Sequence, residues 1–203
     1  MKLRSVLVST LGIAALAQFA SPAGAVSLIN ENFDAVTQGL KSSPSAVGSF
    51  LTVNTGNVEV IGPGFANFYP GNGNYVDLNG DTSGSLTSGP FSLDAGSTLS
   101  FDFAKNLDIG TPSPTANIFF GGTQIGMVNG GSSFSPFNYT FLSAASGALV
   151  ISSATPGTYG VVIDNVKLDT ATAVPEPSAI PGMLLFAGGA LMLRRKQIAK
   201  KAK

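Results

Sequence analysis

The chain contains no histidine, no cysteine and no tryptophan. Without histidine it lacks the usual general base of serine and cysteine hydrolases and the commonest zinc ligand. Without cysteine it has no thiol nucleophile and no disulfide, so an exported form is left with burial or a metal to hold it together. Without tryptophan it lacks the strongest platform for stacking against a sugar ring. Charge is scarce as well, at 11% of residues, and unevenly placed. Eight of the eleven cations lie before residue 5 or after residue 193. Between 26 and 173 only Lys41, Lys105 and Lys167 face ten carboxylates, a net of −7. Such a surface has nothing with which to neutralise phosphates, and nucleic acid is excluded as a partner.

What is present at the two ends is organised for export. Lys2 and Arg4 precede an apolar segment over 6–20, and Ala23-Gly24-Ala25 offers the small residues that signal peptidase reads, so 1–25 is expected to be a signal peptide and Val26 the mature start. At the other end Pro175-Glu176-Pro177-Ser178 is followed by an apolar run over 179–193 and by Arg194-Arg195-Lys196. A helix of that length spans about 22 Å, short of a ~30 Å hydrocarbon core. Pro181, Gly188 and Gly189 weaken it further. It reads as a marginal membrane helix whose basic tail, 194–203, is retained on the cytoplasmic side.

The order of tripeptide, hydrophobic segment and basic cluster over 174–196 resembles the PEP-CTERM sorting signal. The resemblance implies recognition by exosortase, a membrane protease-transpeptidase. It also implies removal of the tail from an inner-membrane precursor, and delivery to the cell envelope or an extracellular polysaccharide matrix. Pro181 and the extension over 197–203 depart from the usual pattern.

The stretch between the signals has the length of one domain with one core. Short alternating apolar runs separated by Gly, Asn and Pro predict antiparallel β structure. Strands are expected at 49–53, 58–61, 75–78, 91–93, 98–103, 117–120, 124–128, 137–141, 148–152 and 160–168. The expected fold is an all-β antiparallel sandwich over 26–169, followed by a linker over 170–178. In the last strand Val161 and Ile163 share one parity while Val166 and Leu168 share the other. Either a β-bulge near Asp164-Asn165 switches the inward face, or 160–166 is buried on both faces and no bulge exists.

The succession Asn32-Phe33-Asp34, 56–61, 75–80, 99–103 and Ile163-Asp164-Asn165-Val166 resembles the galactose-binding-like jelly rolls, similar in plan to several carbohydrate-binding modules. That resemblance implies a structural calcium between the first and last strands, held by Asp34 and Asp164 with Glu31 as an addition. Asn165 stands where an acidic residue is common, and the other reading makes Asp34 a turn residue and Asp164 a hydrogen-bond acceptor. It also implies association with carbohydrate. Phe65, Phe68 and Tyr69, beside Asn67, Asn72 and Asn74 in a Gly- and Asn-rich segment, are the aromatics available for an exposed binding loop. The competing reading turns Phe65 and Phe68 inward to plug the sandwich.

Catalysis would fall to a carboxylate pair such as Asp77 with Asp81 or Asp102 with Asp108. Aspartates in β-turn segments are ordinarily solvated turn formers, so a non-enzymatic protein is expected. The sequon Asn138-Tyr139-Thr140 falls in an expected strand and carries no information in the bacterial chain that the sorting-signal resemblance implies. The leading expectation is an exported, exosortase-sorted protein associated with polysaccharide or the cell surface. A passive matrix protein of the same fold is the alternative, and a polysaccharide-acting enzyme a more distant one.

Overall fold

The structure, a computed structural model, describes residues 25–108 and 113–171. The expected signal peptide, the Pro175–Ser178 motif, the apolar run over 179–193 and the basic tail lie outside the described residues, apart from Ala25. Within them the chain forms strands and no helix: β1 Val26–Glu31, β2 Gly39–Ser42, β3 Ala46–Val47, β4 Leu51–Thr55, β5 Asn57–Ile61, β6 Tyr75–Asp77, β7 Ser85–Leu93, β8 Thr98–Lys105, β9 Thr115–Phe120, β10 Thr123–Asn129, β11 Ser135–Thr140, β12 Ala145–Ser153 and β13 Val161–Thr170.

Two antiparallel sheets result. Sheet A runs β11-β8-β13-β6-β5-β2, with β1 also paired to β13, and sheet B runs β10-β9-β12-β7-β4-β3. Period-2 alternation builds the interface between them. On β9 Ala116, Ile118 and Phe120 are buried while Thr115, Asn117 and Phe119 are only half-buried, and on β8 Leu99 and Phe101 point inward between half-buried Ser100 and Asp102. These side chains join Ile29, Leu51, Val60, Leu86, Leu149, Ile151, Ile163 and Leu168 in one continuous core. β1 and β13, at the two ends of the described region, pair with each other, so this segment closes its own core.

All ten expected strands are found, most of them longer than the apolar run that betrayed them. Three strands were not anticipated. β2 and β3 are four and two residues long, with Val47 the one buried side chain between them, and β1 alternates poorly because Ser27 and Ile29 bracket an irregularity in its pairing with β13.

The bulge reading of the last strand holds, and the reading without a bulge fails, although 160–164 ahead of the bulge is buried throughout. Val161 and Ile163 enter the inter-sheet core while Val162 is buried on the outer side of sheet A. The register against β8 then shifts between Asp164 and Lys167, and Asn165 takes φ of 52°. Asn tolerates that left-handed conformation better than most side chains. The bulge carries Val166 and Leu168 back to the core face and leaves Asn165 exposed.

Candidate functional site

A second, smaller apolar cluster on the outer side of sheet A positions the site. Ile61, Tyr69, Tyr75, Ala104 and Val162 are buried together there, with Phe68 and Phe134 against them. Tyr69, Tyr75 and Phe134 pack edge to face or tilted at 4.8–5.9 Å between ring centres. The segment 62–74 folds over this cluster. Its first turn is closed by Gly62 N–H to Phe65 O (3.0 Å) and Phe65 N–H to Gly62 O (2.9 Å). Its centre is pinned because the Tyr75 hydroxyl accepts from Phe68 N–H (2.7 Å) and Tyr69 N–H (3.2 Å). Its end is tied to the segment after β1, where Asp34 Oδ1 accepts from Asn74 N–H (2.9 Å) and Asn74 Nδ2 donates to Val36 O (2.9 Å).

The three aromatics of this loop therefore part ways. Tyr69 is only 8% exposed and its hydroxyl donates to Lys105 O (2.5 Å), so it is a packing residue and not a sugar platform. Burial and the neighbouring Tyr75 push its phenol up to about 12. Phe68 is half-buried against the cluster, and Phe65 is 46% exposed. Asn72 is exposed at the far turn of the loop, away from the residues that line the cleft beside Phe65.

That cleft has a volume of about 340 Å³. Phe65, Ala66 and Phe68 form one wall, Glu59 and the Gly80-Asp81 turn another, and Asn106, Asp108, Thr158 and Tyr159 the rest. Burial, and then the charge of Asp81, raises Glu59 above the ordinary carboxylate range. Beneath the cleft Asp77 is fully buried. Its oxygens accept from Asn106 Nδ2 (2.5 Å), Asn79 N–H (2.8 Å) and Gly160 N–H (3.5 Å). Burial outweighs these bonds and raises Asp77 to about 7. Asn106 links floor to wall, since its Oδ1 also accepts from Asp108 N–H (2.8 Å). Sequence reasoning named Phe65 and Phe68, considered Asp81 only as half of a catalytic pair, and missed Glu59, Asn106 and Tyr159; these four polar residues come from β5 and three separate connections and share no local motif.

A second cleft, of about 410 Å³, lies on the outer face of sheet A among Ser100, Asp102, Pro136, Asn138, Asn165 and Lys167. The bulge creates it by turning Asn165 outward, where its Nδ2 donates to Asp102 Oδ2 (3.0 Å). Phe101, the one aromatic ring in its lining, is buried. Of the carboxylate pairs considered for catalysis, Asp77 is sealed below one cleft, Asp81 and Asp108 border that cleft, and Asp102 belongs to the other.

The residues expected around calcium are brought together in part. Asp164 is buried, one oxygen accepting from Asn165 N–H (2.7 Å). Burial raises it to about 7, and the charges of Asp34 and Asp102 add to the rise. Asp34 is thus close enough for its charge to be felt. Glu31 is committed elsewhere: Oε1 accepts from Phe33 N–H (3.1 Å) and Oε2 from Ser49 N–H (2.7 Å), which ties β1 to the turn after β3. Among the described residues no three His, Cys, Asp or Glu side chains form a metal-holding group.

No family model and no curated protein sequence matches the chain. Among solved structures it is similar to a family 35 carbohydrate-binding module from Paenibacillus barcinonensis (19% identity, 66% of this chain and 98% of that one, TM-score 0.38). It is also similar to the K3 adhesin domain of Lys-gingipain from Porphyromonas gingivalis (14%, 73% and 100%, 0.42) and to the module TmCBM61 bound to β-1,4-galactotriose (12%, 62% and 90%, 0.42).

Proposed function

We propose that this protein is a non-enzymatic, exported β-sandwich of the galactose-binding-like jelly-roll plan that associates with polysaccharide through the cleft beside Phe65. One observation carries the reading: an exposed ring stands at the rim of a cleft whose other walls are carboxylates, an amide and hydroxyls. A pyranose presents an apolar C–H face to such a ring and hydroxyls to such acceptors. The polar cleft on sheet A offers no exposed aromatic ring and is the weaker candidate. The test is calorimetric titration of residues 25–171 with neutral oligosaccharides. Phe65→Ala is expected to weaken binding roughly ten-fold, the loss of one stacking contact of about 1.4 kcal/mol. Absence of binding to any glycan would sink the association, and binding indifferent to Phe65→Ala would sink the cleft.

Sorting by exosortase is part of the same proposal and is supported by the residues over 174–196 alone. Mass spectrometry of the exported protein is expected to find a new C-terminus near Pro175-Glu176-Pro177, and an intact Lys203 would count against it. Calcium enters only as a site shared by Asp34 and Asp164, supported by a buried carboxylate held close to a second negative charge. An ion at about 100 times its Kd would raise the melting midpoint by roughly 8 °C over chelator in the wild type and not in Asp164→Asn. Equal midpoints in the wild type would remove calcium.

A further inference from the structure

Charge is divided between the two sheets as sharply as between the domain and its signals. Every strand of sheet B, β3, β4, β7, β9, β10 and β12, lacks Asp, Glu, Lys and Arg, and so does the whole stretch 109–163. All thirteen charges of the exported region sit on strands of sheet A or in loops. The uncharged sheet ends at β10, which among the described residues is hydrogen-bonded to β9 alone.

An unpaired strand edge exposes backbone donors and acceptors, and proteins ordinarily blunt it with a charge, a proline, a bulge or brevity. The other edges of this molecule are blunted. β11 carries Pro136, β2 is four residues long and carries Lys41, β3 has two residues, and β1 ends in Glu31 with an irregular register. β10 is seven residues long, Thr-Gln-Ile-Gly-Met-Val-Asn, with neither charge nor proline. Its protections are slight: an irregularity between Gln124 and Gly126 in its pairing with β9, and Gln124 Nε2 donating to Gly126 O (3.4 Å). Met127 beside it is 57% exposed, on the outer face of sheet B with Asn117 opposite.

We propose that β10 is an open pairing edge and that its occupant is β10 of a second copy, joined antiparallel across a two-fold axis. Such an edge is its own complement, because a two-fold brings the same donors and acceptors to both sides. Electrostatics select it as well. Two domains of net −7 repel each other through most of their surfaces, whereas the approach along β10 brings only uncharged strand against uncharged strand. A partner strand from a different protein is the other conceivable occupant, and the test separates the two.

The experiment is sedimentation of residues 25–171, the segment that closes its own core, over a concentration series reaching about 100 μM. The expected result is a monomer–dimer equilibrium that tightens as salt rises above about 0.1 M, where repulsion between the acidic faces is screened. Met127→Lys puts like charges near the axis and is expected to shift the equilibrium at least ten-fold toward monomer. Leu142→Lys, at a site 91% exposed in the turn after β11, is the control that leaves the dimer intact. A wild type that stays monomeric throughout would overturn the proposal, and so would a dimer that Met127→Lys leaves unchanged. Capture of a foreign strand by a monomeric domain would transfer the edge to another partner and likewise overturn it.

Discussion

Raising the pH from 4 to 8 is expected to destabilise this domain, opposite to the trend of a protein whose carboxylates are stabilised as ions. Asp77 carries most of the effect. Its native value is raised from 3.8 to about 7, burial being the largest cause. The folded state therefore holds this proton more tightly than the unfolded chain does. The contribution is fully present below pH 3.8, is lost as pH rises to about 7, and is flat above that. At about 1.4 kcal/mol per unit the loss is roughly 4 kcal/mol, a large share of a typical domain's 5–15 kcal/mol. Asp164, raised to about 7, adds in the same direction. The surroundings of Asp77 suit a proton. Asn79 Oδ1 is the buried side-chain oxygen without a partner among the described residues, and it converges with Asp77 Oδ1 on Gly160, where an added Cβ would lie 2.3 and 2.6 Å from them. Thermal melts of the wild type and Asp77→Asn across this range check the claim. The difference between them should shrink the slope between pH 4 and 7, and a wild-type advantage that grows with pH would contradict it.

How far the sequence reveals this molecule depends on which face of a sheet a residue occupies. Strands such as β8 and β9 were legible because one face meets the core and the other meets solvent, which writes a period of two into Leu99-Ser100-Phe101 and Ala116-Asn117-Ile118. The switch of face in β13 was legible for the same reason, since a broken parity has few explanations. The loop aromatics were not separable from sequence. Phe65 and Tyr69 stand in equally polar, glycine-rich company, and only the second cluster behind sheet A decides which of them is buried. Its buried members, Ile61, Tyr69, Tyr75, Ala104 and Val162, come from β5, the loop after it, β6, β8 and β13. The cleft itself was invisible for the same reason: Glu59, Asp81, Asn106 and Tyr159 meet only because β5, β6, β8 and β13 share one sheet. Glu31 shows the limit from the other side. A carboxylate near the first strand fits a metal site in sequence, and two backbone N–H groups claim it in the fold.

The binding loop should be the part of the domain most easily undone, and Tyr75 is the residue that decides it. The ring is fully buried between Tyr69 and Phe134, and the hydroxyl accepts the N–H groups of both Phe68 and Tyr69. Tyr75→Phe keeps the ring and strands these two donors, a cost of about 1–3 kcal/mol. Tyr75→Ala also leaves a cavity, and about 3–5 kcal/mol is expected. For a domain of this size the corresponding drops in melting midpoint are roughly 5 °C and 12 °C. The two variants should differ in character as well. With the ring in place the inter-sheet core is untouched, so Tyr75→Phe is expected to loosen 62–74 locally, with faster amide exchange and proteolysis there before the global transition. Because Phe65 rides on that loop, glycan affinity should fall in Tyr75→Phe even at temperatures where the sandwich is intact. A Tyr75→Phe protein with wild-type exchange over 62–74 would show that the hydroxyl does not hold the loop, and the cleft wall would then rest on packing alone.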